Sequence, residues 1–449
     1  MAEQAKVDVI YGLNDRPPAG EAAVAALQHL LAIFVGIITP TLVLAGPMGL
    51  DTTTTSYLVS MALMVSGVAT FIQVKKIGPI GSGLLSIQGT SFAFIGPMIA
   101  AGLAVGGGEA GLAMIFGLVL AGAPVEMILS RFIHLAKNII TPVVTGTVVM
   151  LIGLSLIRVG MTDIAGGVGA EDFGSLRNVA LGGLVIAVVV LLNLSKNKFI
   201  RMGSIVIALA VGYIVAAFMG MVDLGGLGDL PKVSVPVPFK FGLDFDLALF
   251  IPFALLYLIT TIESTGDLTA TSLVSGEPIE GDVYIERIKG GVLGDGVNSA
   301  IAGTFNTFPN TTFSQNNGVI QLTGVASRYV GLFIAGFLAL LGLFPIVGGL
   351  INAMPRPVLG GVTLIMFGTV AAAGIKIIST GDVGRREMLI LAVSLGLGLG
   401  VQFVPDVLVA MPETVQTIFS SPITTGGLTA LVMNIVIPRD TGVVPVDPI

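Results

Sequence analysis

The sequence predicts an all-α polytopic membrane protein with fourteen transmembrane segments, and three observations support this fold class. The chain of 449 residues is 54% hydrophobic and only 11% charged, whereas soluble domains carry about 25% charged residues. Apolar runs recur from end to end, and about 20 apolar residues suffice to span a bilayer. The 61 glycines suit the close helix packing found in membranes.

The apolar segments follow one another along the chain, and the short connections leave no room for an inserted soluble domain. The N-terminal stretch MAEQAKVDVIYGLNDRPPAGEAA is polar and acidic, which is not the pattern of a signal peptide. The predicted segments lie near residues 24–46, 56–74, 84–105, 110–130, 139–158, 179–194, 203–222, 247–270, 289–304, 311–326, 329–352, 357–375, 387–404 and 415–437.

The distribution of basic residues supports the count of fourteen. Lys and Arg concentrate in the cytoplasmic loops of membrane proteins. With the N-terminus placed inside, sixteen of the 21 Lys and Arg residues fall on the cytoplasmic side and five fall outside. One miscounted segment would scramble this division. The bias therefore predicts that both termini are cytoplasmic.

Two of the predicted segments are unusually polar. Fourteen segments divide into two units of seven, and because seven is odd the units lie in opposite senses, as an inverted repeat. The third segment of each unit is polar: GSGLLSIQGTSFAFIGP at 81–97 and NTTFSQNNGVIQLTG at 310–324. Matching interrupted segments indicate a transporter's site. In the second, we expect an extended piece after Pro309, a turn at 316–318, and then a half-helix whose free N–H groups face the bilayer middle.

Three acidic residues are predicted to lie inside apolar segments, where each costs about 2.5–3.5 kcal/mol on insertion scales. Glu263 and Asp267 are four residues apart and share one helix face, and Asp295 lies in the next segment. When two carboxyl groups lie this close together in a low-dielectric environment, they do not both ionise easily. The pair is therefore a candidate proton carrier. The alternative is that these carboxyls, and His29 in the first segment, form only structural hydrogen bonds.

Composition excludes several function classes. With Cys 0 and His 2, the chain has no thiol nucleophile, no disulfide and no histidine-rich metal site. It contains no P-loop, HExxH or Gly-x-Ser-x-Gly motif. No basic arm suggests nucleic-acid binding. We therefore expect a transporter rather than an enzyme, with no metal and no organic cofactor.

The segment QNNGVIQLTG resembles the signature of the nucleobase–ascorbate transporter family. That signature is Gln, Glu or Pro, then Asn-x-Gly, four variable residues, Thr, and Arg, Lys or Gly. Three further motifs are similar to the family: QH at 28–29, ESTGDLTATS in the eighth segment and GGVLGDG in the ninth. DRPP, SGLLSIQ and GVASRYVG resemble the bacterial xanthine permeases of that family. The signature positions are occupied by Gln315, Asn316, Gly318, Thr323 and Gly324.

The resemblance implies a seven-plus-seven inverted repeat with short antiparallel strands in the third and tenth segments. It also implies an elevator-like motion of a core domain against a gate domain, in a homodimer surrounded by the lipid of a bacterial inner membrane. The implied divisions are a cytoplasmic N-terminal segment at 1–23, core residues 24–138 and 245–353, gate residues 139–244 and 354–438, and a cytoplasmic tail at 439–449.

In function, the resemblance implies a purine symporter that carries xanthine, with the proton as the coupling ion. A carboxylate accepts hydrogen bonds from ring N–H groups, and an amide offers both a donor and an acceptor to a lactam edge. The residues implied to bind the substrate are Glu263, Gln315, Asn316, Ser91, Phe92 and His29, and those implied to couple protons are Asp267 and Asp295.

Two departures leave the substrate range open. Close xanthine permeases often carry Asn where this chain has Ser91, and NTFPNTTF at 306–313 leans toward urate-type relatives. A urate or broader purine permease is therefore an alternative. Uracil transporters usually carry Glu in place of Gln315, which favours a purine. A second alternative is an anion transporter of related architecture, although such proteins usually have a soluble C-terminal domain, and only RDTGVVPVDPI follows the last segment here.

Overall fold

A computed structural model describes residues 9–133, 140–222, 224–225, 227–228 and 230–438. The predicted cytoplasmic tail at 439–449, and residues 1–8 of the predicted N-terminal segment, lie outside these residues.

The described chain is mostly helical, as predicted. The α-helices are α1 (Ala19–Ala45), α2 (Thr52–Lys75), α3 (Ile95–Ala104), α4 (Gly108–Phe132), α5 (Pro142–Ile164), α6 (Leu176–Asn193), α7 (Lys198–Met202), α8 (Ser204–Phe218), α9 (Leu247–Val274), α10 (Gly281–Thr304), α11 (Gln315–Thr323), α12 (Arg328–Gly342), α13 (Pro345–Asn352), α14 (Arg356–Ile378), α15 (Arg385–Phe403), α16 (Glu413–Phe419) and α17 (Pro422–Val436). Two strands, β1 (Gln88–Thr90) and β2 (Asn310–Thr312), and two short 3₁₀ helices, Phe92–Phe94 and Pro405–Leu408, complete the elements.

Long apolar helices make this an integral membrane protein. In the described part of the chain, eight helices are long and apolar enough to cross a membrane: α1, α2, α4, α5, α6, α9, α14 and α15. Counting the pair α12 and α13, which is bent by 73°, as one span raises this number to nine. The apolar helices α8 and α17 are shorter, and fourteen crossings therefore stay a prediction.

Helix boundaries follow from local chemistry. Asp51 accepts a hydrogen bond from the Thr54 backbone N–H at 2.6 Å, and Asp246 accepts one from Leu249 N–H at 2.9 Å. These side chains satisfy N–H groups that the first turns of α2 and α9 leave free. The helices α5 and α14 have proline in the first turn, where no N–H is needed.

The helices pack in two sets of neighbours. In one set, α2 packs on α12, and α4 packs on α10. In the other, α14 packs on α5, and α15 packs on α17. Three of these pairs, α2 with α12, α4 with α10 and α5 with α14, join helices from opposite halves of the sequence, whereas α15 and α17 both lie in the second half. The division of the chain into core and gate domains stays a prediction.

The two strands meet in the interior of the protein. They pair antiparallel, with Gln88 opposite Thr312, Gly89 opposite Thr311 and Thr90 opposite Asn310, and all six residues are buried. A Cβ atom at Gly89 would lie 2.5 Å from Cζ of Phe313, so only glycine lets that ring pack against β1. The 3₁₀ turn and α3 follow the first strand, and α11 follows the second.

Candidate substrate site

Asp295 lies at the centre of a buried hydrogen-bond network. Its Oδ1 accepts from Gln73 Nε2 at 2.6 Å, and its Oδ2 accepts from the Ser264 hydroxyl at 2.5 Å. The Thr312 hydroxyl lies 3.3 Å from Oδ2. Asp295 is 0% exposed, and no cation lies within 4.0 Å of it in the described part of the chain. Hydrogen bonds from α2, α9 and β2 therefore hold this carboxyl on α10.

Amides and hydroxyls extend the network along the strand pair. Gln88 donates from Nε2 to the Thr312 hydroxyl at 2.9 Å, and Asn298 Nδ2 lies 3.4 Å from Gln88 Oε1. The Gln88 backbone N–H donates to the Thr70 hydroxyl at 3.0 Å. Buried polar groups of this kind are rigid when they are satisfied. The network consequently fixes the strand pair against α2 and α10.

Glu263 and Asp267 lie on successive turns of α9, as their spacing predicts. Asp267 is 2% exposed, and its Oδ1 has no hydrogen-bond partner among the described residues. Glu263 is half-buried, but its Oε2 is buried and equally unpartnered within the described ranges. Glu263 interacts electrostatically with Asp295, and Asp267 with both carboxyls. Two buried acceptors are thus open to a ligand or a proton.

The N-terminal end of α11 brings Asn316 near His29 of α1. The Asn316 side chain donates to the Leu85 carbonyl, while its Oδ1 has no partner in the described chain. His29 is fully buried, and Asn316 is the polar side chain that interacts with its imidazole. Gln315, the first residue of α11, is half-buried. The third and tenth predicted segments and α1 therefore meet here.

The start of α11 corrects one prediction. The turn was expected at 316–318, but those residues lie inside the helix. The Asn316 N–H donates to the Phe313 carbonyl and the Asn317 N–H to the Ser314 carbonyl, at 3.2 and 3.0 Å. The chain therefore turns at Ser314, directly after β2. The polarity of the two Asn side chains suggested a turn, but here they make buried contacts from a helix.

Ser91 and Phe92 lie at the other end of the strand pair. The Ser91 N–H donates to the Pro309 carbonyl at 2.8 Å, which continues the pairing beyond β1. Phe92 stacks on Phe313 with ring centroids 6.1 Å apart, and meets Phe367 of α14 edge-to-face at 5.7 Å. Phe92 is thus a contact between the strand pair and α14.

A cavity of about 590 Å³ adjoins Phe92. It lies between α3 and α9 on one side and α5 and the α15–α17 region on the other. Its walls are mainly apolar, and neither Glu263 nor Gln315 lines it. The cavity therefore reaches the aromatic end of the strand pair, and Glu263, Asp267 and Asp295 are not among its lining residues.

Two side chains near Asp295 escaped the sequence analysis. Glu126 of α4 is 1% exposed, its Oε1 has no partner in the described part, and it interacts electrostatically with Asp295 and Glu263. The expectation of three acids inside apolar segments is therefore wrong. Glu126 lies within the predicted fourth segment, so the same rule would have found it. Nothing in the sequence marked Gln73 as a site residue, because its partner Asp295 is 222 residues away.

The described residues include no group of three or more His, Asp or Glu side chains that could hold a metal ion. The site therefore offers carboxyl, amide, hydroxyl and aromatic groups. Such groups recognise a planar ligand that has both hydrogen-bond donors and acceptors at its edge.

Comparison with known proteins identifies similar chains. The model of a permease family, Xan_ur_permease, matches residues 20–407. Xanthine permease XanP of Escherichia coli (strain K12) is 49% identical over 448 residues, covering 98% of this chain and 97% of that protein. Xanthine permease XanQ of the same strain is 45% identical, covering 98% and 96%. The transmembrane domain of a cyanobacterium bicarbonate transporter, BicA, has a similar fold with a TM-score of 0.54 at 15% identity, covering 94% of this chain and 99% of that one.

Proposed function

This chain belongs to the permease family of nucleobase–ascorbate transporters, and from that premise we propose that it carries xanthine with protons across a bacterial inner membrane. The observation that carries the proposal is 49% identity to a xanthine permease over 98% of the chain. The relatives are permeases, in agreement with the expectation of a transporter rather than an enzyme.

Substrate binding is assigned to Glu263 and Gln315. Xanthine presents ring N–H donors and carbonyl acceptors on one plane. The unpartnered Oε2 of Glu263 can accept from a ring N–H, and the Gln315 amide can donate to a carbonyl and accept from its neighbour. Phe92 would stack against the ring. Asn316, His29 and Ser91 would shape the surroundings, and the buried Ser91 hydroxyl has no partner within the described chain.

Proton coupling is assigned to Asp267, with Asp295 as the residue that orders the site. Both oxygens of Asp295 already accept hydrogen bonds, whereas Oδ1 of Asp267 has none in the described residues. An isolated charge crossing a low-dielectric barrier is costly, and protonation removes that cost. Under this assignment, the core domain with bound substrate moves across the membrane when Asp267 is protonated. It does not move when Asp267 is an ionised carboxylate.

Asp267→Asn is expected to retain xanthine binding and to lose accumulation driven by a pH gradient. The amide mimics the protonated acid permanently, so binding survives while the proton cycle stops. The measurement is uptake into proteoliposomes with a pH gradient as the only energy source, compared with equilibrium binding. The exposed Asp282→Asn, at the start of α10, is the matched control. If Asp267→Asn still concentrates xanthine against its gradient, another group carries the proton.

The proposed transport cycle is an elevator motion within a homodimer. Fourteen membrane passes would divide into a core domain, which holds the strand pair and the carboxyls, and a gate domain built around α5 and α14. Support comes from the contact of Phe92 with Phe367, because it joins elements assigned to the two domains. The cavity beside Phe92 would be the access route from one side. Alternating access would move the core relative to this boundary.

One uptake panel separates the remaining functions. Labelled xanthine, urate, guanine, hypoxanthine, uracil and bicarbonate are offered to proteoliposomes under a pH gradient. We expect saturable accumulation of xanthine and none of uracil or bicarbonate. Urate uptake equal to xanthine uptake would identify a broader purine permease, as Ser91 suggests. Bicarbonate uptake without purine uptake would favour an anion transporter, which the fold similarity to BicA makes the second candidate.

A further inference from the structure

A pocket of about 300 Å³ lies between the C-terminal ends of α2 and α4 and the first half of α10, and none of the residues assigned to the substrate lines it. Three basic residues, one from each of these helices, line it: Lys76, Arg131 and Lys289. Glu286 is the acidic residue in its lining. The pocket thus has an excess of two positive charges.

Among the described residues, these three cations form no ion pair. No carboxylate lies within 4.0 Å of any of them in the described part of the chain. The neighbouring Arg287 differs, because it forms an ion pair with Glu277 at 2.7 Å. Cations that converge on a pocket without acidic partners are poised to bind an anion, and phosphate oxygens make strong hydrogen bonds with Lys and Arg.

The floor of the pocket is held in place by backbone contact. The Gly81 N–H donates to the Gly290 carbonyl at 2.7 Å, which ties the segment after α2 to α10. Lys76 is the C-cap residue of α2, Lys289 directly precedes Gly290 on α10, and Arg131 lies in the last turn of α4. The spacing of the cations is therefore set by the fold.

The surface around the pocket is apolar, which favours a membrane lipid over a soluble anion as its ligand. On α4, Ile128 and Phe132 are 59% and 53% exposed, and their spacing of four residues puts them on one face beside Arg131. Ile77, next to Lys76, is 48% exposed. Lys76, Arg131 and Lys289 are among the sixteen basic residues that the charge distribution predicts to lie on the cytoplasmic side. Basic pockets between membrane helices on that side suit anionic lipid headgroups.

We propose that this pocket binds the phosphodiester headgroup of an anionic membrane lipid, with its acyl chains against the exposed face of α4. Lys76, Arg131 and Lys289 hold the phosphate, and Glu286 limits the affinity by repulsion. The site is independent of the purine and of proton coupling, so it stands even where the substrate assignment fails.

The test is titration of the purified full-length protein with phosphatidylglycerol, phosphatidylcholine or inorganic phosphate, followed by native mass spectrometry and thermal unfolding. We compare Lys76→Gln/Arg131→Gln/Lys289→Gln with a matched triple at exposed positions outside the pocket, Arg16→Gln/Lys75→Gln/Lys196→Gln. Each surface charge changes affinity for an anionic lipid about fivefold, so the pocket triple is expected to bind phosphatidylglycerol about a hundredfold more weakly at that site. The matched triple is expected to retain the tightly bound lipid.

Three results overturn the proposal. The first is equal loss of phosphatidylglycerol in both triple variants, which indicates general surface attraction. The second is equal protection by phosphatidylcholine. The third is equal protection by inorganic phosphate, which identifies a site for soluble anions. Glu286→Gln keeps all three cations and provides a test that does not depend on the folding of the triple. It is expected to bind phosphatidylglycerol about fivefold more tightly, and unchanged or weaker binding contradicts the proposal.

Discussion

Asp295→Asn is expected to abolish xanthine uptake and to weaken xanthine binding at least tenfold. Asparagine keeps the shape but offers one acceptor oxygen where the carboxylate offers two. Gln73 cannot turn its amide to compensate, because its Oε1 accepts from the Ser82 N–H at 2.8 Å. Two charge-assisted bonds, to Gln73 and Ser264, become neutral or are lost, and each buried unsatisfied group costs about 1–3 kcal/mol. This cost lowers the population of the ordered, binding-competent site, and the apparent affinity falls with that population, by roughly ten- to hundredfold.

The measurement is calorimetric titration with xanthine together with uptake under a pH gradient. Asp282→Asn makes the same substitution on an exposed turn of the same helix and is expected to behave as the wild type. The comparison with Asp267→Asn is decisive, because that variant is expected to bind normally. If Asp295→Asn binds xanthine with wild-type affinity, the network does not order the site.

Glu263→Gln is expected to collapse xanthine uptake while the protein still reaches the membrane. The variant preserves the length of the side chain and replaces an acceptor oxygen with an amino group. The buried Oε2 of Glu263 has no partner in the described part of the structure, so little of the fold depends on it. A hydrogen bond between a ligand and a charged group is worth about 1.5–3 kcal/mol, so binding should weaken roughly ten- to hundredfold.

Binding is measured by titration and membrane abundance by immunoblot, so that loss of function is separated from loss of protein. Glu109→Gln, in the exposed first turn of α4, is the matched control. Near-normal xanthine affinity in Glu263→Gln would remove this residue from the binding site, and Glu126 would become the next carboxyl to replace.

Sequence reasoning reached the helical membrane fold, and it singled out acids that the structure brings close together, for physical reasons. Low charge and repeated apolar runs allow few alternatives to a helical membrane protein. Where a membrane segment is interrupted, its backbone N–H and C=O groups must form hydrogen bonds with other protein groups, because lipid offers none. The same logic located Glu263, Asp267 and Asp295, because an acid inside an apolar segment is costly wherever it lies. Glu126 satisfied this rule and was overlooked.

The partners of those acids could not be predicted. Gln73 is one of several polar residues on α2, and only the packing of α2 on α10 selects it as the donor to Asp295. The start of α11 was misplaced for a similar reason. Asn316 and Asn317 favour turns when solvent surrounds them. Here Asn316 reaches the Leu85 carbonyl and Asn317 accepts from Thr271 at 2.7 Å, so tertiary contacts decide.

The strand pair also constrains the order in which the protein can fold during its synthesis. Gln88 and Thr312 are 224 residues apart, so β1 leaves the ribosome long before its partner exists. At about 5–20 residues per second, the interval is roughly ten to forty-five seconds. During that time the backbone groups of β1 have no strand to pair with, and lipid offers no substitute. The first half of the chain therefore cannot finish its third segment alone. It must keep that segment hydrated or shielded until the second half is synthesised, and the substrate site is completed only late in membrane insertion.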